Sequence, residues 1–383
     1  MVSVSNLTRC FVWSIFPMAL FISCIQPTYS PPEEVEELKI FWHKETNLID
    51  APDAQPLVIE ESKLIYTGEL ELVAIDSKNG DEIWRGIIDN ERALVCEKLV
   101  FDEKRRRIIT NHKKDIKIWD SETGESIVTL TKEDGVQSFN LGRHAVLEDG
   151  YAIIGDTLDT YVINPDGSIR FSVQFEFASA GLAYLNNKLF MTMGKTITGA
   201  LTKGKIIAFD VQTGDSLWSY ITDNSGFTRV EPVISNSILY AGTVGNSPEN
   251  TFVALNSETG ELIWEFSNSE ILTRSFVLGP KYVFVNTGGK LIALNKTNGQ
   301  KVWVFEWNSS AGLIKPVYLN GYIYHSDHNR LFVIDAETGE LVHEEPLPEG
   351  GGFFWHVAAS SDKIFAQTSN QLIAYQPWHL RDN

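Results

Sequence analysis

Three short stretches of the chain hold residues able to do chemistry. His325, Asp327 and His328 put three metal-ligating types within four positions. Imidazole nitrogens and a carboxylate that close together could take a transition metal. Yet Ser326-Asp327-His328-Asn329-Arg330 has the composition of a turn between two strands, and turn chemistry accounts for it. Lys104-Arg105-Arg106-Arg107, followed by His112-Lys113-Lys114, is a basic island able to receive an acidic partner or lipid headgroups. The plainer reading is the solvated turn and edge of a hairpin. Gly350-Gly351-Gly352, ahead of Phe353, Phe354 and Trp355, offers backbone N–H groups to a phosphate. No helix follows, so the anion-binding field of a helix N-terminus is missing. That stretch reads as a flexible loop feeding a strand.

Nothing else on the chain has catalytic spacing. There is no nucleophile elbow, no zinc spacing and no paired-carboxylate arrangement. The acidic turns at 120–125, 256–261 and 335–340 lack the alternating oxygen ligands and central Gly of a calcium loop. The chain has only 3 cysteines, so there is no disulfide framework. Cys96, in the apolar run Ala93-Leu94-Val95-Cys96, reads as a buried free thiol. The net charge of −18 argues against a nucleic-acid partner, because phosphate binding needs a basic face.

The elements that position these residues come from a repeat. Ala254, Asn256, Gly260 and Trp264 lie in a stretch that reads as strand, turn and returning strand. Asn can hydrogen-bond its own backbone two residues on, and Gly can take the left-handed conformation that closes the turn. The set recurs as Ala74, Asp76, Gly80, Trp84, as Ala208, Asp210, Gly214, Trp218, and as Ala293, Asn295, Gly299, Trp303. Weaker copies replace the ring with Val128, Phe171 or His343, and the copy at Asn164 has a turn one residue shorter. The turn glycines at 80, 124, 167, 214, 260, 299 and 339 are 39 to 47 residues apart. A period near forty with about four short strands is a propeller blade. The expected fold is all-β, an eight-bladed propeller, with seven blades as the alternative.

The two chain ends have complementary defects. Leu38–His43 looks like a last strand with no repeat before it, and Lys363–Tyr375 gives two strands with no return. The strand around Trp42 is therefore expected to complete the last blade and close the ring. Met191–Gly204 and Thr243–Asn250 break the rhythm and read as extended loops on one rim. Ahead of residues 38–383, residues 1–23 read as a signal peptide, with Arg9 before an apolar run from Cys10 to Ser23. Leu20-Phe21-Ile22-Ser23-Cys24 resembles a bacterial lipobox, although Phe21 stands where that motif prefers Leu. The resemblance implies lipidation of Cys24 and, with no Asp after it, sorting to the outer membrane. The alternatives are an uncleaved anchor or a plain secretory signal. Residues 24–37 would then be an acidic, Pro-rich tether.

The motif Ala-x-(Asp/Asn)-x3-Gly-x3-Trp is similar to the tryptophan-docking repeat of PQQ-type β-propellers, over roughly residues 38–378. That resemblance implies that each Trp packs between its own Ala and the neighbouring blade's turn. Quinoprotein dehydrogenases use this propeller to hold pyrroloquinoline quinone and calcium. The adjacent cysteine pair that many of them carry is absent from this sequence. In size and layout the chain resembles the BamB lipoprotein family of the outer-membrane β-barrel assembly machinery. The resemblance implies a non-catalytic, monomeric envelope scaffold with a lipid anchor, a protein partner and no cofactor. Two other readings stay open. One is a quinoprotein oxidoreductase with quinone and calcium. The other is a carbohydrate- or small-ligand-binding propeller with Trp307 or Trp355 exposed in its central funnel.

Overall fold

Each repeat folds into one sheet. The computed structural model describes residues 37–46, 56–68, 70–88, 99–111, 115–136, 143–154, 159–197, 200–223, 225–227, 230–243, 250–267, 275–307 and 314–381. Cys24, the signal and tether residues up to 36, Cys96 and His112-Lys113-Lys114 lie outside these residues. Eight four-stranded sheets form, and seven of them run in simple chain order. Blades 1 to 7 span residues 57–87, 100–130, 144–174, 178–223, 233–267, 275–306 and 317–346. Blade 8 joins Phe354–Ala359, Ile364–Thr368 and Gln371–Tyr375 to the N-terminal strand Ile40–Glu45. The count is eight, and Trp42 pairs with Ala374 in the closing strand.

Period-two alternation explains why the core lies between blades. In blade 1, Leu64 and Ile75 face blade 8, whereas Ile65 and Ala74 face blade 2. Both faces of the middle strands are covered, so they read as continuous apolar runs. The first strand of blade 1 touches that of blade 2 on one side and that of blade 8 on the other, which closes the ring. Antiparallel order puts the first and third turns of every blade on one face, called the docking face here. The second turns and the crossovers to the next blade lie on the opposite face, the crossover face.

Two sequence expectations are corrected. Met191–Gly204 is not a loop: Lys188–Ile197 and Ala200–Asp210 pair as one long hairpin. The segment breaks the repeat rhythm, but burial of Met191, Met193, Ile206 and Ile207 continues the strand pattern. Phe227 closes over Gly204, where an added Cβ would lie 2.8 Å from its ring. His325 belongs to the strand Tyr322–Ser326 and not to the turn. Residues 244–249 of the second expected loop lie outside the described residues, and Thr243 and Thr251 pair at its base.

Candidate partner-binding face

The repeat residues are all consumed by fastening. Trp84, Trp218, Trp264 and Trp303 pair across the hairpin with Ala74, Ala208, Ala254 and Ala293. Each indole then reaches the next blade. Trp42 donates its Nε1–H to Ser77 O at 3.0 Å, and Trp84 to Ser121 O at 3.0 Å. Trp218, Trp264 and Trp303 do the same to Ser257, Lys296 and Ala336 at 3.1, 2.8 and 3.2 Å. The rings lie under the turn glycines, so a Cβ on Gly260 would sit 2.6 Å from Trp218 and one on Gly299 2.5 Å from Trp264. Asp76, Asp210, Asn256 and Asn295 accept from the N–H two residues on, at 2.7 to 2.8 Å. Gly80 and Gly214 close their turns at φ of 77° and 76°.

The basic island is also spent inside the fold. Arg105 pairs with buried Asp102 at 2.8 Å and donates to Glu148 O of blade 3 at 2.7 Å. Arg106 bridges Glu60 of blade 1 and Glu122 of its own blade, and holds both carboxyls below the usual carboxylate range. Arg107 donates to Pro165 O of blade 3 at 2.7 Å. The hairpin turn was legible in the sequence. That three of its arginines would clasp neighbouring blades was not, because their partners lie 43 to 58 residues away.

The His-x-Asp-His stretch comes apart. His325 is fully buried against Trp307, ring centroids 4.8 Å apart, and neither ring nitrogen has a hydrogen-bond partner among the described residues. Burial pushes it down to about 3, against the opposing charge of Asp327. Asp327 is capped by Arg330, with its Oδ2 2.6 Å from the guanidinium. Among the described residues no group of three or more His, Cys, Asp or Glu could hold a metal ion. Trp307 is 8% exposed and does not line a funnel.

His328 instead joins the Gly-aromatic stretch. It takes φ of 77° in the second turn of blade 7, and its ring sits edge-on to Trp355 at 5.0 Å and Phe353 at 5.8 Å. Phe354 donates its N–H to His328 O at 2.7 Å, and Trp355 Nε1 donates to Ser369 Oγ at 3.0 Å. Phe353 is left 52% exposed. The structure thus brings two stretches, separate in sequence, into one pre-set aromatic corner on the crossover face. The long hairpin of blade 4 ends on that same face. A fixed, exposed phenylalanine backed by half-buried rings, and a long strand pair, are features suited to contact with another molecule.

Residues 105–270 and 202–374, two overlapping stretches, match a family model described as outer membrane protein assembly factor BamB. The protein of that name from Kangiella koreensis is 30% identical over 163 residues, covering 39% of this chain and 40% of that one. This chain matches between 40% and 56% of the length of the curated relatives of that name, less than two thirds of each. The crystal structure of BamB from Moraxella catarrhalis is similar with a TM-score of 0.69 at 13% identity, over 89% of this chain and all of that one. A quinohemoprotein alcohol dehydrogenase from Pseudomonas putida is similar with a TM-score of 0.65 at 12% identity, over 88% of this chain and 76% of that one. Both structural likenesses speak for the fold alone.

Proposed function

The chain belongs to the family described as outer membrane protein assembly factor BamB, and on that premise we propose that it is a non-catalytic scaffold of the bacterial cell envelope. Its crossover face would hold a protein partner of outer-membrane protein assembly. The observation that carries this reading is the family match, which runs from blade 2 into blade 8. The fate of the reactive residues supports it. The arginines and docking tryptophans serve seams, and His325 is sealed in the core. The blade 4 hairpin and the Phe353 corner remain as the features on which a partner would bear. In this reading Cys24 is lipidated after removal of residues 1–23, residues 24–37 tether the ring to the membrane, and no cofactor is required.

The test is an affinity pull-down of the full-length protein from its own membranes. Absorbance of the eluate is recorded before and after adding pyrroloquinoline quinone and calcium. The expected result is a stable assembly partner and a featureless spectrum. A stoichiometric quinone band with dye-linked oxidation of an alcohol or sugar would replace the scaffold with an oxidoreductase.

A further inference from the structure

The seam between blades 7 and 8 has no continuous turn to receive a docking ring. The six full-length turns elsewhere share two backbone bonds. The Asp or Asn N–H bonds the carbonyl five residues on, as Asp76 to Asp81 and Asp335 to Glu340, both at about 2.8 to 2.9 Å. The Gly N–H bonds back to the Asp or Asn carbonyl, as Gly80 to Asp76 and Gly339 to Asp335, each at 2.9 Å. In blade 8 the third strand ends at Tyr375 and the fourth begins at Ile40. The turn is therefore split between the two ends of the chain.

The paired residues Ala374 and Trp42 set the correspondence. Gln376 stands where Asp76 stands in blade 1, Lys39 where Asp81 stands, and Leu38 where Gly80 stands. Gln376 N–H bonds Lys39 O at 2.8 Å, so the first bond of the turn is kept across the break in the chain. The second bond is replaced. Leu38 N–H goes to Glu345 Oε2, at 2.7 Å, on the fourth strand of blade 7. That same oxygen accepts from His343 Nε2 at 2.8 Å. His343 holds the docking position of blade 7, and in place of an indole under a glycine its ring stacks on Trp378, 5.1 Å away at 27°. Trp378 is fixed in turn by its N–H to Tyr324 OH at 2.7 Å and by Arg381 above its ring at 4.1 Å. Glu345 and His343 are both about 5% exposed, so the carboxylate must be satisfied where it stands.

We propose that His343, Glu345 and Trp378 form a latch that completes this split turn and locks the N-terminal strand into the ring. Its parts differ from the docking motif because the turn has two chain ends and no glycine. A bulky indole at 343 would meet Leu38 and Trp378 and not an open glycine face. The latch also fixes Leu38, the point at which the preceding residues join the ring.

Hydrogen exchange read by mass spectrometry on full-length protein tests this. Glu345→Leu removes the acceptor of Leu38 and His343. The amides of Ile40–Glu45 are expected to exchange about tenfold faster or more, while the matching strand Glu82–Ile87 of blade 1 changes little. Unchanged protection of Ile40–Glu45, or equal loss in both strands, overturns the latch. If Glu345→Leu does not fold, the milder Trp378→Phe is read in the same way. His343→Trp supplies an independent arm, because it installs the docking residue of the other blades. A lowered thermal midpoint is expected, and a raised one would mean that the seam is an ordinary dock that merely lost its indole.

Discussion

At the residue scale, the most telling group is a histidine that does no chemistry. His325 is completely buried, with burial pushing it down to about 3. In the unfolded chain a histidine titrates near 6.5. Below that value the unfolded state takes up a proton that the fold refuses, so stability falls as the pH drops. Linkage sets the slope at about 1.4 kcal/mol per pH unit, from about pH 6.5 down toward the folded value. His325→Leu is expected to remove one such slope from the pH dependence of chemical unfolding between pH 6.5 and 4.5. Parallel curves for variant and parent would show that His325 is protonated within the fold. The sequence gives no sign of this burial. Asp327 and His328 beside it advertise a turn, and strand membership was settled by Phe332 opposite His325 in the next strand. The docking tryptophans are the opposite case. Their type, spacing and turn chemistry are local, so the repeat was legible in the sequence, while the packing of each ring on the neighbouring blade's turn followed from the resemblance to the tryptophan-docking repeat.

At the scale of the element, the turn glycines separate two costs that sequence alone merges. Gly260 and Gly214 have the same φ, 76°. A Cβ at Gly260 would sit 2.6 Å from the Trp218 ring, whereas one at Gly214 would meet Phe171 only at 3.7 Å. Gly214→Ala should therefore cost only the left-handed strain of about 1–2 kcal/mol. Gly260→Ala should add overpacking of about 1–3 kcal/mol. Denaturant midpoints of the two variants measure the difference, and equal losses would mean that Trp218 swings away freely. The same geometry explains the exposed apolar residues of the outer strands. Ile83, Ile127, Leu217, Ile263 and Val302 hold one repeat position, and each is 44 to 47% exposed. One face of a fourth strand packs on the next blade, while the other looks into the wedge that opens as blades diverge from the axis. Legibility fails where an element breaks its own period. Met191–Gly204 of the blade 4 hairpin reads as a loop in the sequence because the segment breaks the forty-residue rhythm. The turn of blade 8 was invisible because its halves stand at opposite ends of the chain.

At the scale of the whole molecule, a ring of eight sheets is as strong as its seams, since each blade contacts chiefly its neighbours. The seams are unequal. Blades 4 to 7 are joined by three successive docks of Trp218, Trp264 and Trp303. Blade 3 has no indole on either side, because Val128 lies under Gly167 and Phe171 lies loosely under Gly214. Blade 3 compensates with polar clasps from blade 2, Arg105 to Glu148 O and Arg107 to Pro165 O, each at 2.7 Å. The magnitudes decide between the two kinds of fastening. Truncating a well-packed Trp costs about 3–5 kcal/mol, whereas a hydrogen bond from a charged group contributes about 1.5–3 kcal/mol. Apolar docking should therefore govern the order of opening. In native-state hydrogen exchange at rising denaturant, Gly150–Ile154 and Asp159–Ile163 of blade 3 should lose protection before Tyr282–Asn286 and Lys290–Asn295 of blade 6. Simultaneous loss in all blades would mean that ring closure couples the seams so tightly that their separate strengths do not matter. A blade 3 that opens last would mean that its arginine clasps outweigh the missing rings.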